Sequence, residues 1–148
     1  MSKEVAVLVT VAAGGLVAAQ PPVNDIVSKK VGTLGAVSVN FLVGTAIVLA
    51  VTFLFAGGFK NVEGVETPAW YYWLFGGLAG VAIVLTSLVT VRQLGAGGVT
   101  AAVIAGQLTL SIVLDRLGIL GLDERAITAP KLLGVALLAA GTVLVVHE

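Results

Sequence analysis

Long apolar runs, separated by short patches of charge, glycine and proline, dominate this chain. The runs show neither the one-sided stripe of an amphipathic helix nor the alternation of a half-buried strand; they have the pattern of helices whose solvent is lipid on most sides. Five stretches stand out, at 5–27, 31–56, 70–91, 99–117 and 132–146. Each is near the roughly 20 residues that a helix rising 1.5 Å per residue needs to cross a hydrocarbon core of about 30 Å. The expected fold is an all-α membrane protein, a five-helix transmembrane bundle forming a single domain over residues 1–148.

The segments between the runs support this division. Residues 57–68, reading GGFKNVEGVETP, carry the glycines, charges and proline of an aqueous loop. In 118–130, Asp123, Glu124 and Arg125 have no place unpaired in lipid. The other two connections are short, which predicts antiparallel neighbours in an up-and-down bundle. One of them, Gln93 to Gly98 (QLGAGG), lacks the Lys-Ser/Thr of a phosphate loop and reads as a tight turn. The cluster Trp70-Tyr71-Tyr72-Trp73 opens the third run, where amphipathic rings favour the headgroup zone. Val17-Ala18-Ala19-Gln20 resembles a signal-peptide cleavage site, but four further apolar segments follow, so the first run is expected to remain as a span.

Composition strengthens the membrane reading. Hydrophobic residues make up 58% of the 148 and charged residues 11%, against about 45–50% and 25% in soluble domains. Eight Lys+Arg balance eight Asp+Glu, so no basic surface suggests nucleic acid. The absence of cysteine excludes disulfides, thiolate metal sites and cysteine nucleophiles. His147, near the C-terminus, reads as a solvated residue. No Ser/His/Asp set, HExxH or metal-ligand cluster is visible, so neither an enzyme nor a metal or cofactor is expected.

With five helices, Lys3, Lys60, Arg116, Arg125 and Lys131 fall on one side and Lys29, Lys30 and Arg92 on the other. A bias of five to three, weakened by the helix-end positions of Arg116 and Lys131, is too small to orient every copy. Dual insertion, and with it an antiparallel homodimer of mutually inverted halves, stands beside a single weakly signalled orientation.

Polar side chains within the apolar runs are few, and in hydrocarbon each is costly enough to suggest a role. Gln20-Pro21-Pro22-Val23-Asn24 places two prolines inside the first span, predicting a kink or break, with Gln20 and Asn24 one turn apart beside it. Asn40 and Thr45 flank Phe41 and Gly44 in the second span, and the Asn40 amide is expected to face the bundle interior. Thr86, Ser87 and Thr90 in the third span most simply bond their own helix. Gln107, Ser111 and Asp115, spaced by four, form one polar stripe on the fourth. Asp115 reads either as an ion pair beside the loop or as a proton or cation site. Gly76 and Gly80, and Gly134 and Gly141, suggest close helix packing.

In this order and spacing, the Gln20–Asn24 patch, NFLVGT at Asn40–Thr45 and AGQLTLSIVLDRLGILGL at Ala105–Leu122 resemble the YdcZ-type proteins of the drug/metabolite transporter superfamily over the whole chain. The resemblance implies a half-size, five-helix inner-membrane exporter that pairs to make ten helices, with its site between the halves, similar to small multidrug resistance transporters with a helix added. Pro21-Pro22 and Asp25 depart from the usual pattern of the family.

The expected function is therefore alternating-access export of a small metabolite or drug-like solute by a homodimer. Gln20, Asn24, Asn40, Gln107 and Ser111 would line the path and Asp115 would couple an ion. A non-transporting helical subunit or scaffold, with dry and fully paired amides, is the alternative from another class. A passive channel would need a continuous polar pore, for which polar residues are sparse.

Overall fold

The computed structural model describes residues 2–59 and 69–147. Among these the chain is helical, with α1 over Lys3–Val31, α2 over Thr33–Phe55, α3 over Trp70–Leu117 and α4 over Ala129–Val146. All four are long and apolar enough to cross a membrane. The loop expected at 57–68 lies mostly outside the described residues.

The expected count of five separate helices is not matched, because the segments expected at 70–91 and 99–117 are joined in α3, 48 residues in which two helical arms meet at a kink. At 1.5 Å per residue that helix traces roughly 72 Å, more than twice a hydrocarbon core. It is interrupted at a single residue, Gly95, with φ 66° and ψ 171°. That conformation is essentially restricted to glycine. Gln93–Gly98 is thus no multi-residue turn: one glycine leaves the helical region while its neighbours remain in it.

Of the kink or break expected at the prolines, the break is not found. The helix α1 does not break, and runs from Lys3 to Val31 with Pro21 and Pro22 inside it. Proline removes a backbone donor at each position, which membrane helices tolerate when neighbouring groups re-satisfy the freed carbonyls. Gly32 alone, with φ 77°, separates α1 from α2.

Two compact units result. One comprises Gln20–Val89 and holds the second half of α1, α2 and the first arm of α3. Its core is Ala36, Val37, Val84 and Leu88, with Val27 and Leu85 packed against it. Phe41 lies against Gly80, where an added Cβ would stand 3.4 Å from the ring. The pairing of 41 with 80 and of 36–37 with 84–88 makes α2 and this arm antiparallel neighbours.

The other unit comprises Met1–Ala19 and Thr90–Glu148. Within it α4 runs antiparallel to the second arm of α3. Val145 and Val146 lie over Gly97 and Gly98, and Thr142 Oγ1 donates to Ala101 O at 3.2 Å and to Leu138 O at 2.8 Å. Gly118, with φ 58°, ends α3; a Cβ there would stand 3.2 Å from the Glu124 backbone nitrogen, so the reversal requires glycine. The apolar side chains outside these seams, Leu16, Leu54, Phe55 and Leu144 among them, are exposed, as lipid-facing residues are.

Candidate functional site

Four-residue spacing places Gln20 and Asn24 on one face of α1, and Ala36, Asn40 and Gly44 on one face of α2. The hairpin at Gly32 brings the faces together. Gln20 Nε2 donates to Asn40 Oδ1 at 3.2 Å, a bond between amides that would otherwise be stranded in apolar surroundings. Beside it lies a cleft of about 310 Å³ whose lining includes Asn24 and Val27 from α1 and Asn40, Val43, Gly44 and Ile47 from α2.

Asn24 is 6% exposed and has no hydrogen-bond partner among the described residues. Among the described residues no fully enclosed side-chain nitrogen or oxygen lacks a partner, so its amide reaches the cleft. Gly44 supplies the space: a Cβ there would meet no atom within 4 Å. A second groove, of about 420 Å³, shares Asn40 and Gly44 and continues along α2 past Phe41 and Thr45 to Leu49.

The charged neighbour of Asn24 is already engaged. Asp25 Oδ2 lies 3.0 Å from Lys29 Nζ, an acid four residues before a base, the favourable order on a helix. Ser28 Oγ donates to Asp25 O at 2.8 Å.

Gln107, Ser111 and Asp115 belong to the other unit, on the second arm of α3. Gln107 is exposed. Ser111 Oγ donates to Leu108 O at 3.0 Å, the local bond that hydroxyls form within their own helix. Asp115 Oδ2 lies 3.5 Å from Lys131 Nζ, both side chains about a third exposed, and its carbonyl accepts from Arg125 N at 2.7 Å. Arg116 pairs with Glu124 in the same turn.

Of the residues singled out in the sequence, Gln20, Asn24 and Asn40 therefore meet at one cleft. Sequence reasoning passed over Gly44 as a cleft-forming residue and Lys131 as the partner of Asp115. The signal for the first was its position four residues after Asn40. The second has no sequence signal, because the pair is closed by the 118–128 reversal. Of the expected glycine seams, Gly80 packs on Phe41, while Gly76, Gly134 and Gly141 face open space.

The model of a family described as "Putative inner membrane exporter, YdcZ" matches residues 5–144. No curated protein and no solved structure matches the chain.

Proposed function

The chain belongs to the YdcZ family of inner membrane exporters, a multi-pass protein of that membrane, and from this we propose that two copies, paired antiparallel, export a small metabolite or drug-like solute by alternating access. The observation that carries the reading is Asn24: a residue 6% exposed whose amide has no partner among the described residues and opens into a cleft it shares with Asn40 and apolar neighbours. An amide that opens into a largely apolar cleft without a protein partner is costly in a membrane, and a scaffold gains nothing from carrying that cost. A solute-binding site does, because the missing partner is supplied by the solute.

Gln20 and Asn40 complete the polar lining in the same unit, and Gln107 and Ser111 are assigned to the solute path by their place on the polar stripe of the second arm of α3. Asp115 is the coupling residue in this reading: its side chain is about a third exposed and, among the described residues, held by the side chain of Lys131, so a cation or proton can compete for it. The near balance of positive charge supports insertion in both orientations, which an antiparallel pair requires.

Flux in proteoliposomes tests the proposal. A carrier shows saturation and counterflow, and both fall in Asn24→Ala and Gln107→Ala. Undiminished flux in either variant removes that residue from the path.

A further inference from the structure

The chemistry of the α1–α2 cleft selects among solutes. We infer that it takes an uncharged solute bearing an amide or hydroxyl head and a short branched apolar tail, and that it rejects organic cations and anions; this rests on the transport reading above and names its substrate class.

The polar inventory at the cleft is made only of carboxamides. Asn24 offers a carbonyl oxygen and two N–H donors with no partner. The Gln20–Asn40 bond uses one donor and one acceptor and leaves the Asn40 amino group with hydrogens to give. A ligand head must therefore both donate and accept, which a primary amide or an alcohol does and an ammonium or carboxylate does not.

Charge compensation is absent. None of the described residues lining the cleft is charged, and adjacent Asp25 is paired with Lys29 at 3.0 Å. In an apolar surrounding an uncompensated ion is excluded far more strongly than a neutral dipole. The remaining wall is branched and aliphatic, with Val27, Val43 and Ile47 around the gap at Gly44. A volume of about 310 Å³ lies at the small end of roughly 300–1,000 Å³ for small-molecule sites, which suits a compact tail.

A matched trio of probes separates the possibilities: N-acetyl-leucinamide is neutral, leucinamide is a cation and N-acetyl-leucine an anion, all with one tail. In the cysteine-free chain, Gly44→Cys places a thiol in the gap, and Val39→Cys gives a second reporter on the same lining. Either variant, reconstituted in full-length form in liposomes, is labelled with N-ethylmaleimide in the presence of each probe.

The neutral probe is expected to slow labelling while the two charged probes leave its rate unchanged. Adding Asn24→Leu is expected to weaken that protection about tenfold, the loss of hydrogen bonding at one amide. Equal protection by all three probes, protection by a charged probe alone, or no protection at either reporter overturns the assignment. Protection by the neutral probe without counterflow of that probe upholds the cleft assignment and defeats the transport reading, so the two fail separately.

Discussion

Gln20 and Asn40 are joined side chain to side chain across the α1–α2 hairpin, the Gln20 amide donating to the Asn40 carbonyl oxygen at 3.2 Å. Polar bonds between membrane helices have measured couplings averaging about 0.6 kcal/mol. A double-mutant cycle of Gln20→Leu and Asn40→Leu, read by unfolding in mixed micelles, is expected to give a coupling of that order. A coupling indistinguishable from zero would mean the two amides find other partners as readily.

Two glycine substitutions should behave oppositely. Gly44→Leu meets open space and fills the cleft, so folding is retained and flux is lost. At Gly98 a Cβ would stand 3.0 Å from Leu94 Cβ and 3.4 Å from Val146 Cγ2. Gly98→Ala is expected to push α4 away and to cost about 1–3 kcal/mol of stability, measured by the same unfolding assay.

Gly95→Ala probes the interruption of α3. With φ 66° and ψ 171° an alanine is strained by about 1–3 kcal/mol. The expected outcome is loss of thermal stability of that size. Wild-type stability in this variant would show that α3 can run without the break.

Asp115→Asn separates coupling from architecture. Neutralising the acid removes its ion pair with Lys131, worth roughly 0–1 kcal/mol for a pair this accessible, so folding should survive. If Asp115 couples an ion, gradient-driven accumulation disappears while counterflow persists. A structural role alone would lower both together or neither.

Orientation is measured with single cysteines. Ser28 is a poor reporter, since it is 7% exposed and bonded to the Asp25 carbonyl; Val31 and Ala126 are exposed. Dual insertion predicts that Val31→Cys and Ala126→Cys are each labelled from one side of intact cells in part of the population. All-or-none labelling at both positions would require a single orientation and exclude an antiparallel homodimer.

Much of this architecture is legible in hydropathy alone. Three spans match helices to within a few residues, because apolar length is what a bilayer demands and what a sequence displays directly. The break between the third and fourth segments was legible as a place and not as a form. QLGAGG reads as a turn, yet only Gly95 leaves the helical region, and Gly97 and Gly98 remain helical to admit Val145 and Val146. Pro21 and Pro22 signal a kink or a break, and α1 does not break, since backbone chemistry at one position does not reveal what the surrounding helices tolerate. Gln20, Asn24 and Asn40 were visible as polar outliers. That Gln20 bonds Asn40 while Asn24 stays unpartnered depends on the register of the hairpin, which composition and periodicity do not encode.

The central claim, that this chain moves solute through a path in which Asn24 takes part, is tested most directly without choosing a solute beforehand. Liposomes loaded with an aqueous metabolite extract and carrying wild-type protein, Asn24→Leu or no protein are followed by mass spectrometry of the solutes released. The account predicts that a chemically related subset leaves faster from wild-type vesicles than from protein-free ones, and that Asn24→Leu returns that subset to the protein-free rate. Identical release from all three preparations would contradict it.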